Sequence, residues 1–204
     1  MTTFYIGDIP SETLAVTPLR AGNLVELSPF TAATAVLRNE AGIAVTPAPS
    51  VTLDQANDDA KVTFGTASPF ATAGLYSLQI IVTATGKRET LDAVQIVVQD
   101  PATGWHTLDS IRGEWTTGMP DDSIAYQLLE VAREQCATYG PRYEGLPPRR
   151  FRVAQAMQAR NIFNASKTDP GQSQDGELFV IRPYPLDNFV KDILRPKRVL
   201  GVIG

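Results

Sequence analysis

The sequence predicts an α+β protein of two domains, a small antiparallel β-sandwich followed by a mostly α-helical domain with a minor β element. Three observations predict it. Between Leu24 and Val98 apolar residues alternate in short runs rich in β-branched side chains, the period of strands with one buried face. After Gly104 apolar residues recur every three to four positions, the period of amphipathic helices. Between the two lies "QDPATG", Gln99 to Gly104, where Pro101 and Gly104 break regular structure; it divides the 204 residues into 1–99 and 100–204. The 15 glycines, 15 prolines and 8% aromatic content also favour a turn-rich architecture over a helical bundle.

The strands predicted in the first half are "TAVLRN", "SVTLDQ", "KVTFGT", "LYSLQIIVTAT" and "LDAVQIVVQD". In the fourth, Leu75, Leu78, Ile80 and Val82 are placed mostly on one face, with Tyr76 and Ile81 on the other. "TGKRET", Thr85 to Thr90, is the glycine-bearing hairpin turn before the last strand. Strands at roughly 8- to 12-residue spacing with no long helical pattern between them suggest a sandwich.

Four helices are predicted in the second half. "TLDSIRGEW" is a short one capped by Thr107. "PDDSIAYQLLEVAREQCATYGP" is capped by Asp121 or Asp122, stopped by Gly140 and Pro141, and striped by Ile124, Leu128, Val131, Ala132 and Cys136. "PPRRFRVAQAMQARNIFNAS" opens on prolines, which cost least where the first helical N–H groups have no partner. After the polar loop "DPGQSQDG", "ELFVIRPYP" reads as a short strand ended by Pro183 and Pro185, and "LDNFVKDILRP" as a last helix stopped at Pro196.

The residue inventory offers little for catalysis. His106 and Cys136 are the only histidine and cysteine, which leaves a Ser-His-Asp or Cys-His arrangement without partners and rules out an intrachain disulfide. His106 beside Trp105 reads as structural or exposed, and Cys136 as a core thiol. "GKR" at Gly86 to Arg88 lacks the spacing and the hydroxyl residue of a phosphate loop. Asp58/Asp59 reads as a loop and Asp121/Asp122 as a helix cap rather than as metal sites. No enzymatic activity, cofactor, metal or catalytic residue is expected. The single cysteine makes a reducing interior the expected folding compartment. The opening residues show no secretory leader and no apolar run approaches the roughly 20 residues of a membrane helix, so neither secretion by that route nor a membrane span is expected.

The net charge is −4, unevenly spread: residues 142–204 hold 11 bases and 6 acids. Such a basic end suits nucleic acid or an acidic protein surface. Two clusters stand out. "PPRRFR" puts Arg149, Arg150 and Arg152 at a helix start, where the backbone dipole disfavours cations, which hints at an acidic partner. "RPKRVLGVIG" places Arg195, Lys197 and Arg198 before Val199, Leu200, Val202 and Ile203, an amphipathic combination unusual for a chain end.

With the elements laid out, "LDSIRGEW...MPDDSIAYQLLEVAREQCATYGP" resembles the opening of the head-tail connector (adaptor) proteins of long-tailed bacteriophages. The run from "PRRFRVAQAMQARNIFNAS" to "ILRPK" is similar to the actinobacteriophage version, and the likeness covers about residues 105–198. The first half, through "ATAVLRNEAGIAV" and "ATAGLYSLQIIVTATGKRETL", resembles the immunoglobulin-like domain of phage baseplate upper proteins, without the cysteine pair or tryptophan of antibody domains. The resemblance implies a structural virion protein at the head-tail interface, assembled in the host cytoplasm, with no membrane partner. It implies a homo-oligomeric ring, twelvefold to match the portal, which docks on the portal protein and receives the next stopper or neck protein. Double-stranded DNA would pass through that ring without sequence readout. It further implies that Arg195, Lys197, Arg198, Val199, Leu200, Val202 and Ile203 dock on the portal; Arg149, Arg150 and Arg152 are expected as subunit or partner contacts from their place at the helix start. The rival readings are a tail or baseplate component and, in another class, a DNA-binding regulator inserting "PPRRFRVAQAMQAR" into the major groove. A carbohydrate-binding role for the first half stays open, though no aromatic platform is evident.

Overall fold

The computed structural model describes residues 2–167, 181 and 184–196. The fold is mixed α+β, with ten strands and four α-helices among the described residues. The chain divides into two compact units, Met1–Asp100 and Pro101–Gly204.

The first unit is built from two sheets over one core. Strands β1 (Thr2–Tyr5), β10 (Val94–Gln99), β8 (Gly74–Ala84) and β5 (Ala32–Arg38) lie side by side in that order, and β9 (Lys87–Thr90) pairs with the far end of β8. β1 runs parallel to β10, with Phe4 opposite Val98, while the remaining pairs of this sheet are antiparallel. The second sheet is β2 (Leu14–Val16), β7 (Asp59–Thr63) and β6 (Ser50–Asp54), all antiparallel, and β3 (Leu19–Arg20) and β4 (Asn23–Leu24) form a small hairpin. Val16, Ala60 and Val62 from one sheet and Leu37, Tyr76, Leu78, Ile80, Ile96 and Val98 from the other share a single apolar cluster. Lys61 bridges to Asp54 across β6 and β7 at 2.5 Å, and with Asn57 it holds the Asp54 carboxyl down at about 2.

The five strands expected in this half all form. β8 corrects the face assignment: Tyr76 points inward with Leu78, Ile80 and Val82, and Leu75 is half-buried on the other side with Ile81. Side chains alternate strictly along a strand, so even and odd positions cannot share a face. The segment read as a turn over Thr85 to Thr90 is shorter than expected. Only Thr85 and Gly86 form the loop, with Gly86 at φ +73°, and Lys87 onward continues as β9.

The Tyr76 ring lies at the centre of this unit's geometry. Its hydroxyl donates to the carbonyl of Thr72 at 2.9 Å, four residues upstream, which folds the chain over just before β8. Phe70 sits beneath it, stacked on Phe4 at 4.8 Å, tilted against Phe64 at 5.7 Å and edge-on to Tyr76 at 5.6 Å.

The second unit opens on a 3-10 turn, Pro101–Thr103, and four helices follow. α1 (Leu108–Arg112) has Thr107 at its cap, where the Thr107 hydroxyl accepts from the Ser110 N–H and the Ser110 hydroxyl accepts from the Thr107 N–H. α2 (Asp122–Tyr139) is capped by Asp121, whose carboxylate accepts from the N–H groups of Ser123 and Ile124, both at 3.1 Å. Arg112 ties α1 to α2 by pairing with Asp109 at 2.8 Å and Asp122 at 2.6 Å. α3 (Arg149–Lys167) packs against α2, and α4 (Asn188–Leu194), capped by Asp187, packs against α3.

The buried stripe of α2 is Ala125, Leu128, Leu129, Ala132 and Cys136, with Tyr126 also buried at its edge, whereas Ile124 and Val131 are only half-buried. At 3.6 residues per turn those two lie about 100° or more from the centre of that stripe, so they flank the helix contact. Cys136 belongs to a cluster with Trp105, Phe151, Ala154, Val190 and Leu194, and burial pushes its thiol up to about 12. It packs as a hydrophobe and carries no thiolate at neutral pH. The loop "DPGQSQDG" lies outside the described residues, as does the short strand expected at "ELFVIRPYP" apart from Ile181, Tyr184 and Pro185.

Candidate interaction surface

Buried amides join the apolar side chains in holding the helical unit together. Gln155 and Gln158 on α3 are fully buried. Gln155 accepts from the His106 N–H at 2.9 Å and donates to the Leu129 carbonyl at 3.0 Å, which fixes the start of the unit and α2 to α3. Gln158 donates to Gln135 at 2.7 Å and to the Tyr184 carbonyl at 3.3 Å, and Gln135 donates to that same carbonyl at 3.1 Å. The segment leading into α4 is therefore pinned to α2 and α3 through its backbone. Replacing Gln158 with Leu removes the donor to the Gln135 side-chain oxygen and leaves the Tyr184 carbonyl to Gln135 alone, and a loss of about 2 kcal/mol in urea denaturation is expected, with an unchanged midpoint contradicting the network's role.

α4 ends where the basic C-terminal cluster begins. Arg195 caps it, its N–H bonded to the Lys191 carbonyl, and the guanidinium lies 4.8 Å from the Tyr139 ring centroid. Its side chain borders a hollow with Glu134, Thr138, Tyr139 and Leu186. Glu134 and Thr138 also line an open groove on the outer side of α2, continued by Trp105, Glu130, Val131 and Ala137. Of the residues assigned to portal docking, Arg195 alone is described. Lys197, Arg198, Val199, Leu200, Val202 and Ile203 lie outside the described residues.

Arg149, Arg150 and Arg152 occupy the first turns of α3, with Arg149 and Arg150 exposed and Arg152 half-buried. They do not converge on one point. Arg150 lies over the Phe151 ring at 5.8 Å, and an Arg152 terminal nitrogen is 3.5 Å from His106 Nδ1. His106 is buried, so the structural of its two expected roles holds. Its Nδ1 contacts the Ser110 hydroxyl at 3.0 Å, and its Nε2 lies 3.5 Å from a Glu114 carboxylate oxygen. Burial lowers the tendency of the imidazole to protonate and Arg152 adds to that, against the opposing pull of Glu114.

No family model matches the chain, and no curated protein matches it. The residues themselves therefore carry the functional reading. Among the described residues no three His, Cys, Asp or Glu side chains gather as a metal site, and no helix is long and apolar enough to cross a membrane. Asp121 caps α2, Asp122 pairs with Arg112, and Asp58 accepts from the Leu27 N–H at 3.1 Å, so these acids have backbone or ion-pair work.

Sequence reading missed the glutamines and two further cations. Gln155 and Gln158, three apart in an otherwise apolar row, were the available signal for buried amides. Arg160 and Lys167 continue the row of Arg149 at eleven and eighteen residues, close to whole helical turns.

Proposed function

We propose that the protein is a structural virion component, a head-to-tail adaptor that forms a ring beneath the portal, continues the DNA channel and receives the next neck or stopper protein. The observation that carries this reading is the fixed point from which "RPKRVLGVIG" departs. Buried amides hold the approach to α4, and Arg195 rests on Tyr139, so a segment of cations followed by aliphatic residues starts from an anchored end. Anchoring lowers the ordering cost when such a segment docks on a partner. A ring uses two different faces of each subunit, and closure of the rotation prevents open fibres. The order of a short capped helix, an acidic turn, two long helices and a last short helix supports the connector resemblance. On this reading the protein is no enzyme, takes no cofactor, and resides at the head-tail interface of the virion.

The first unit is read as an immunoglobulin-like sandwich. Three features support it: a first strand parallel to the last, a separate three-stranded sheet of β2, β7 and β6, and the Tyr76 hydroxyl bonded back to Thr72 at the start of β8. That unit also favours the second reading, a tail or baseplate component. The regulator reading is disfavoured, because the Phe151, Gln155 and Gln158 face of α3 is buried and unavailable to a major groove.

Full-length protein is expected to bind tail-less, portal-bearing heads saturably. A chain carrying Arg195→Ala, Lys197→Ala and Arg198→Ala is expected to bind them at least about tenfold more weakly. Docking unchanged by the triple substitution would refute the role given to these cations.

A further inference from the structure

We infer that the outer face of α3 is a docking surface for the phosphate backbone of double-stranded DNA, bound without regard to sequence. Between Pro147 and Lys167 the chain has five bases and no acid. Arg149, Arg160 and Lys167 lie within about 20° of one another around the helix, with Arg152 about 60° to one side, in a row about 27 Å long. None of the five forms an ion pair with a described carboxylate.

These cations are held in place by groups other than acids. Lys167 Nζ sits 4.0 Å from the Phe163 ring centroid, and the Arg160 guanidinium sits 5.7 Å from that of Trp115 while donating to the Glu114 carbonyl. The Nε atoms of Arg152 and Arg160 are buried and take no hydrogen-bond partner among the described residues. Preset side chains lose less freedom when they meet a ligand, so the charge is available at low ordering cost.

The row fits a duplex better than an acidic protein. DNA presents one negative charge per roughly 1.7 Å of axis, a long single-sign target. Protein interfaces centre on apolar and aromatic side chains, and Val153 is the large apolar side chain exposed along α3. Both glutamines of the helix are buried against α2 and α4's lead-in segment, which leaves Asn164 as the exposed amide beside the cations of this face. A row of like charges matches the repeating phosphates, and on this proposal the face grips the backbone without reading bases. This inference does not rest on the adaptor reading.

The test is fluorescence anisotropy of a labelled 30-base-pair duplex titrated with the full-length protein across a salt series. Binding at low salt is expected to fall with a log-log slope of about −3 to −4, and two duplexes of unrelated sequence should bind within about twofold of each other. Arg149→Ala with Lys167→Ala, both exposed and without an ion pair to a described carboxylate, should weaken binding to both duplexes equally and reduce the slope by about two. An unchanged circular dichroism melt shows that the variant is folded. Absent binding by the wild type at low salt, binding undiminished in the double variant, or a strong preference for one sequence overturns the inference. Full competition by polyglutamate at equal charge also overturns it, in favour of an acidic protein partner.

Discussion

Gly140→Ala is expected to destabilise the helical unit by about 3 kcal/mol, the upper range for forcing extra volume into a packed core. The cause is space rather than backbone shape. Gly140 has φ −63° and ψ 163°, an extended conformation that any residue adopts. A Cβ there would run into the Phe151 ring and stand 2.8 Å from the Cys136 carbonyl oxygen. The ring cannot turn aside, because Trp105 and Tyr143 meet it edge-on at 5.9 and 4.9 Å. Both tryptophans, Trp105 and Trp115, belong to this unit, so tryptophan fluorescence in urea reports its unfolding. Phe151→Leu in the same chain should recover part of the loss, since residues in contact do not act additively. Simple additivity of the two substitutions would show that Gly140 and Phe151 are not interlocked.

Phe70→Ala is expected to cost the first unit about 3 to 5 kcal/mol. Phe70 is 1% exposed and touches Phe4, Phe64 and Tyr76, so truncation opens a cavity between three rings and removes their edge and stacking contacts. The same cavity loosens Tyr76, whose hydroxyl holds the turn at Thr72. The measurement is the urea midpoint of the β-sheet circular dichroism signal. A shift below about 1 kcal/mol would mean that the ring cluster is not the keystone of this core.

The parts of the fold legible in the sequence are those where the period is long and the ends are marked. β8 and α2 extend over 11 and 18 residues, so their alternation and helical repeat outweigh noise, and Thr107, Asp121 and Gly140 mark helix ends through local hydrogen bonding. β2, β3 and β4 hold three, two and two residues, too few to display a period. β9, "KRET", has no hydrophobic pattern at all, and the two-residue loop before it sets its pairing. The candidate surface was visible only in part. Charge density exposed Arg149, Arg150 and Arg152 and the C-terminal cations, because charge is a property of composition. The buried role of Gln155 and Gln158 depends on which carbonyls other elements bring to them, which no local pattern encodes. The same holds for Arg160 and Lys167, whose stacking on Trp115 and Phe163 requires the helix to be formed first.

The adaptor reading is tested most directly by co-sedimentation of the purified protein with DNA-filled, tail-less heads, comparing the full chain with one ending at Leu194. Saturable binding by the full chain, lost on truncation, is the predicted result. Failure of both forms to bind would contradict a place beneath the portal, and equal binding by both would contradict docking through "RPKRVLGVIG".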